Sequence, residues 1–349
     1  MKISIIGASG KVGSELTRLL AEQNDFTQKV NIVLYAPNNA RKIAGNLEDI
    51  EESLRIRGKT PFQNVFFLPS SDISSIYKSD LVVICSGLFA TKEEKLKIGA
   101  SDEYGRSVQS IKNYCLITDI CKQIKDSSPF ANILVVTNQA DVMSARAREI
   151  IPDKNIYGLG CYLDTIRFKN IFTKEAGLYG INIDLDSVKA TLLGFHNKNV
   201  FLDENNFSVS HHIENINELI RVSMEKTIAR GKEISDMQKD VHLPNVNSGS
   251  SKLPAAAIYN IIAAFTQPQK SLEIPLNRLL TEDELCDIGE ASPVAAQFYC
   301  GISQNIIQPI TTRLSPKNID DLRRGIKEIS FEISKLKKNN RLSVSIKER

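Results

Sequence analysis

The chain contains no tryptophan and no Cys-x-x-Cys pair, and no apolar run approaches the roughly 20 residues needed to cross a bilayer. The missing tryptophan excludes no function. The other two absences do exclude something. Cys85, Cys115, Cys121, Cys161, Cys286 and Cys300 are scattered, which argues against a thiolate metal site and against a disulfide framework. A reducing cytoplasm is the compartment this suits. No secretory leader is expected, because Met1 to Gly7 runs straight into a strand pattern without a cleavage region. Charge of one sign is also scarce: the formal net value is +3, too small to point to nucleic acid. The Lys-rich stretch at Lys335 to Lys338 closes an amphipathic helix and reads as its solvated end. There are no internal repeats and no low-complexity linker. What is present is 349 residues, 42% apolar and 24% charged, a globular balance with length for two domains.

Short apolar runs alternate with helical stretches through the first 160 residues. Ile3 to Ile6, Ile32 to Tyr35, Val65 to Leu68, Leu81 to Cys85, Ile133 to Thr137 and Ile156 to Leu159 each read as a buried strand. Val12 to Gln23 and Val108 to Ile124 read as helices between them. The alternation predicts an α/β fold, a doubly wound parallel sheet of Rossmann type over residues 1–145. Residues 146–349 follow as an α+β domain for catalysis and oligomerisation. Within it, Val188 to Leu193 is expected as a strand, and Asn215 to Gln238 and Pro254 to Phe265 as helices. Ser315 and Pro316 open a last helix, whose Ile319, Leu322, Ile326, Ile329, Ile333 and Leu336 form a core-facing stripe. Arg341 to Arg349 is expected as a loose tail.

Lys2 to Gly13 reads KISIIGASGKVG, a strand, then Gly7, Gly10 and Gly13, then a helix. At the first strand-to-helix turn, these glycines permit a tight turn, close approach to a phosphate and close helix packing. A pyrophosphate would rest at the helix N-terminus, where free N–H groups and the dipole favour an anion. Gly7, Ala8, Ser9, Gly10, Lys11 and Val12 are therefore candidate contacts to a dinucleotide, with Tyr35 at the end of the second strand. The carboxylate that normally holds the NAD ribose there is missing: Tyr35, Ala36 and Pro37 are followed by Asn38, Asn39, Arg41 and Lys42. The cofactor is thus NAD or NADP.

In order along the chain stand IIGASGKVG, VVICSG, VVTNQADVM, GLGCYLDTIRF, LLGFHN and GSSKLPAAAI. Together they resemble the lactate/malate dehydrogenase family, especially its archaeal-type malate dehydrogenases. The resemblance implies hydride transfer between a nicotinamide and a small 2-hydroxy or 2-oxo acid, and a homodimer or homotetramer. It makes His196 the proton donor and acceptor, Asp164 the carboxylate that orients and charges it, and Arg167 the fork that binds the substrate carboxylate. Arg106 falls where the family polarises the carbonyl. Asn138 and Ser250 match substrate-facing residues, and Asn138 also faces the cofactor. Ser86, Gly87 and Asn113 match residues beside the dinucleotide. No metal is implied.

The family pattern is broken in three places. Gln139 replaces the proline that usually follows Asn138, so a trans peptide is expected. Phe195 and Asn197 flank His196 where glutamate and glycine are usual. Leu88 to Gly105, the counterpart of the substrate lid, is longer than in the family and lacks the arginine that distinguishes malate from lactate; Lys92, Lys95 and Lys97 are candidates to meet a second carboxylate. Malate is the favoured substrate, with L-lactate or another 2-hydroxy acid as the alternative. From another class, a dinucleotide-binding sensor or assembly protein that has lost catalysis would also explain these departures.

Overall fold

Six of the apolar runs become six parallel strands, as continuous β-branched sequence between helices requires. The structure is a computed structural model that describes residues 1–23, 26–88, 102–152, 155–196, 199–237 and 250–347, with backbone alone at 102–107, 231–232, 235–237 and 339–347. Strands β1(Lys2–Ile6), β2(Val30–Tyr35), β3(Val65–Ser70), β4(Leu81–Ile84), β5(Asn132–Val135) and β6(Ile156–Gly158) pair in the order β3-β2-β1-β4-β5-β6. Helices α1(Lys11–Glu22), α2(Ala40–Ile56), α3(Asp102–Ser127) and α4(Ala140–Ile150) make the crossovers. Strand order reverses between β1 and β4, the switch point where such sheets open a crevice at the carboxyl ends of their strands.

The second half adds α5(Cys161–Leu178), β7(Leu192–Phe195), β8(Asn199–Leu202), α6(Ile216–Met237), α7(Lys252–Thr266), β9(Leu272–Leu279), α8(Glu282–Asp287), β10(Ala295–Ser303), β11(Ile306–Pro309) and α9(Pro316–Lys347). Antiparallel β9 pairs with β6 and continues the sheet through β10, β7 and β8, with β11 also on β10. Position 145, the expected division, lies inside α4. The two halves share one sheet, and one apolar cluster joins Ile3, Leu16 and Leu20 to Ala257, Ile261, Phe265 and Ile274.

Two local expectations shift. The strand expected at Val188 to Leu193 runs instead from Leu192 to Phe195. Leu185–Ser187 is spent in a 3-10 turn that Asp184 caps, and Lys189 makes only an isolated bridge to Ser208. Ser315 does accept the Asn318 N–H at the start of α9, but the helix continues to Lys347 through the residues expected as a tail.

The α9 stripe seats as expected, with Leu322 and Leu336 buried and Ile319, Ile326 and Ile333 packed beside them. One helical position is closed to any side chain. A Cβ on Gly325 would stand 2.8 Å from Cε2 of Phe195 and 3.0 Å from Cβ of Asn199. In an open helix, Gly to Ala gains about 1 kcal/mol. Here the overpacked ring reverses the sign, and Gly325→Ala should lose about 1–3 kcal/mol, read as a lower urea midpoint. A midpoint equal to or above the parent's would show that Phe195 has room to move.

Candidate active site

The phosphate cradle forms where β1 hands over to α1. Gly7 has φ +89°, a left-handed conformation that glycine adopts without cost, and a Cβ there would sit 2.6 Å from the Ser86 main-chain N. A Cβ on Gly13 would meet Cα of Ala8 at 2.7 Å, so α1 can rest on the turn only as glycine. The main-chain O of Tyr35 takes the N–H of Gly7 at 3.0 Å and of Ala8 at 3.3 Å. The N-cap of α1 is Gly10, with no side-chain cap and no acidic residue in the first turn. Uncapped N–H groups around a glycine floor are what a pyrophosphate needs, and the residues present fit a dinucleotide. Asn39 Nδ2 donates to Ser9 Oγ at 3.4 Å at the rim.

The ends of β4 and β5 are stitched together beside this cradle. Thr137 Oγ1 donates to the Ser86 main-chain O at 2.6 Å. The buried Asn113 of α3 accepts the Leu88 N–H at 2.7 Å and donates to the Asn138 main-chain O at 3.2 Å. Asn113 therefore braces the loop that presents Asn138, whose side chain is exposed. Gln139 accepts from Ser110 Oγ and donates to Glu332 Oε1, each at 3.1 Å. No peptide among the described residues is cis, in line with the loss of proline.

Three elements then bring the acid–base set together. His196 follows β7, and Asp164 and Arg167 lie on one face of α5. His196 Nδ1 donates to Asp164 Oδ2 at 2.6 Å, and Arg167 Nη1 stands 3.3 Å from Asp164 Oδ1. Side-chain exposures of 15%, 3% and 10% in that order show a set sunk below the surface rather than a surface pair. Among the described residues the buried Arg167 Nε has no hydrogen-bond partner, which leaves the guanidinium a donor for a carboxylate.

Burial by itself would lower the pKa of His196. The Asp164 carboxylate, by charge and by hydrogen bond, and then the Asp141 charge outweigh it and raise the value above 6.5. The folded state thus favours the imidazolium. The resulting stability is full below the unfolded value and disappears as pH rises through the raised one.

Asp141, Asn277, Gln297 and Arg148 were not singled out in the sequence. Asp141 is 5% exposed and accepts the His196 main-chain N–H at 2.9 Å. The signal available was a carboxylate inside the apolar stretch ADVM, three residues after Asn138. Ser250 stands half-buried just before α7, and the structure joins it to none of the other site residues. Arg106 lies on the backbone of α3 with its side chain outside the described part, and Lys92, Lys95, Lys97 and Asn197 lie outside the described residues. No cluster able to hold a metal occurs among the described residues. Nor is any described helix long and apolar enough to cross a membrane.

A glycine cradle at the switch point of a doubly wound sheet, with a buried imidazole–carboxylate pair nearby, defines a dinucleotide-binding oxidoreductase. Residues 1–156 match the family model described as lactate/malate dehydrogenase, NAD binding domain, the family whose motifs the chain resembles. The chain is 26% identical over 340 residues to the malate dehydrogenase of Methanococcus maripaludis, covering 96% of this chain and 97% of that protein. It is 28% identical to the L-2-hydroxycarboxylate dehydrogenase (NAD(P)(+)) of Methanocaldococcus jannaschii, covering 78% and 80%. In fold it is similar to the malate dehydrogenase of Archaeoglobus fulgidus in complex with NADH, with TM-score 0.72, 22% identity and coverage of 96% and 98%.

The balance at His196 can be measured directly. An NMR titration of its imidazole should give a midpoint above 6.5, and Asp164→Asn should lower it, because burial is then opposed by the Asp141 charge alone. A midpoint unmoved by that change would assign the raised value to another group.

Proposed function

We propose that the protein is an NAD-dependent 2-hydroxy-acid dehydrogenase that interconverts oxaloacetate and malate. The observation that carries this is the buried His196–Asp164 hydrogen bond beside an Arg167 whose Nε has no partner among the described residues. When bound, the nicotinamide supplies the hydride in reduction and accepts it in oxidation. His196 Nδ1–H is committed to Asp164, which leaves Nε2–H to give its proton to the 2-oxo oxygen as carbon is reduced. In the reverse direction neutral Nε2 takes the hydroxyl proton. Asp164 fixes the tautomer and stabilises the imidazolium throughout. Arg167 binds the substrate carboxylate through two parallel N–H donors. Arg106 is assigned to the carbonyl oxygen, Ser250 and Asn138 to the substrate, and Asn138, Ser86 and Gly87 to the nicotinamide side.

The functional division follows the two halves: residues 1–145 hold the dinucleotide and residues 146–349 supply the chemistry. The names of both relatives support the 2-hydroxy-acid class, and the first supports malate. NADP is a second cofactor for the same cradle, since no carboxylate follows β2 to repel a 2′-phosphate and Arg41 and Lys42 stand nearby. An intact dyad favours catalysis over a lapsed sensor. The exposed Phe66 and Leu68 on edge strand β3, with exposed Ile56 at the end of α2, support a cytoplasmic homodimer or homotetramer that covers them.

Purified protein with NADH and oxaloacetate should lose the absorbance of reduced nicotinamide, whereas His196→Asn should not. Turnover of pyruvate alone would move the substrate to lactate, and turnover of no 2-oxo acid would overturn the dehydrogenase reading. Arg167→Lys keeps the charge but loses the fork, so kcat/KM should fall by about 100-fold or more with NADH binding unchanged. Tyr35→Asp should shift preference from NADPH toward NADH, and an unaltered ratio would place the adenosine elsewhere.

A further inference from the structure

Beneath His196 lies a polar network that the proton relay does not use. Asp141 Oδ2 accepts the His196 main-chain N–H at 2.9 Å, while Oδ1 accepts Asn277 Nδ2 at 2.8 Å and Gln297 Nε2 at 2.7 Å. Neither amide is free to turn over. Gln297 Oε1 takes the N–H of Cys161, the first residue of α5, at 3.1 Å, and Asn277 Oδ1 takes Arg148 Nη1 at 2.8 Å. Both therefore present N–H to position 141. Two carboxylate oxygens surrounded by three N–H donors suit the ionised acid, because a carboxyl proton would find no acceptor there.

We propose that Asp141 is a positioning residue for the acid–base set: it fixes the His196 backbone directly and, through Gln297, the start of the helix that carries Asp164 and Arg167. The proton donor, its orienting carboxylate and the substrate clamp are thus referenced to one buried side chain. The strands β9 and β10 supply Asn277 and Gln297, so the antiparallel half of the sheet is coupled to the chemistry at this point. The charge of Asp141 acts as well. Among the described residues, the ionisable groups facing His196 are Asp164 and Arg167 from α5 and Asp141 from α4; two carboxylates against one guanidinium favour the imidazolium. Burial raises the pKa of Asp141, and the two amides and His196 work against that rise.

The kinetic arm of the test rests on the dehydrogenase reading; the spectroscopic arm does not. Asp141→Asn places an N–H where an acceptor is needed and removes one charge. The NMR midpoint of His196 should drop by about one pH unit. With NADH and oxaloacetate, the fall of kcat/KM on the alkaline side should move to lower pH by the same amount, and kcat should drop about tenfold. Gln297→Met keeps the charge but frees the start of α5. It should raise KM for the 2-oxo acid about tenfold while the Kd of NADH stays at the parent value. If both variants lose only thermal stability, with the His196 titration and KM as in the parent, Asp141 is a fold residue and the proposal fails. If Asp141→Asn does not fold, the KM split in Gln297→Met decides alone. If the parent turns over no 2-oxo acid, the dehydrogenase reading fails, and the NMR midpoint still decides the role of Asp141.

Discussion

The Asp164 carboxylate has two claimants, with one oxygen on His196 Nδ1 and the other facing the Arg167 guanidinium. Buried charges of this kind persist only when each has a partner, so the position of any one of the three constrains the others. With His196 protonated, His196, Asp164 and Arg167 together carry a net charge of +1. Asp141 below them adds a compensating negative charge before any anion arrives. The site is therefore nearly balanced when empty and gains its directional pull from the donors of Arg167 rather than from gross charge.

That arrangement explains why the sheet has to continue across both halves. Asp164 and Arg167 ride on α5, which starts where β6 ends, and His196 rides on β7, which reaches β6 only through β10 and β9. A flexible joint between β6 and β9 would leave the imidazole and carboxylate at a variable distance. The shared apolar cluster around Leu16, Ile261 and Phe265 removes that joint. The dinucleotide cradle at β1 and β4 then stands on the same rigid sheet as the proton donor.

Legibility in the sequence followed the range of the interactions. The six parallel strands, the glycine turn and the stripe of α9 are written in local periodicity, and they stand where the sequence places them. Asp164 and Arg167, three apart on a helix, read locally as an ordinary surface ion pair; only the resemblance to a family selected them, and burial is what separates the two meanings. Asp141 was not legible because its acceptors' partners come from far away in the chain, 136 residues on for Asn277 and 156 for Gln297. The β7 boundary was misplaced for a related reason. Val188 is fully buried like a strand residue, yet its apolar side chain packs in the cluster with Phe168 and Phe172 rather than in a ladder.

The two departures from the family pattern whose side chains are described end at the same element. Gln139, in place of proline, reaches Glu332 on α9, and Phe195, in place of glutamate, packs against Gly325 on α9. Asn199, the first residue of β8, donates to Glu328 on that helix at 2.9 Å. Proline would have stiffened the Asn138 loop through its own ring, whereas here a side-chain bridge does so by tying the loop to a neighbour. The phenyl ring of Phe195 packs in an apolar cluster with Phe201 and Leu322. The last helix thus contacts both the Asn138 loop and the end of β7. Gln139 and Phe195 tie the Asn138 loop and the end of β7 to one helix, which holds two segments that flank the site in sequence to a common support.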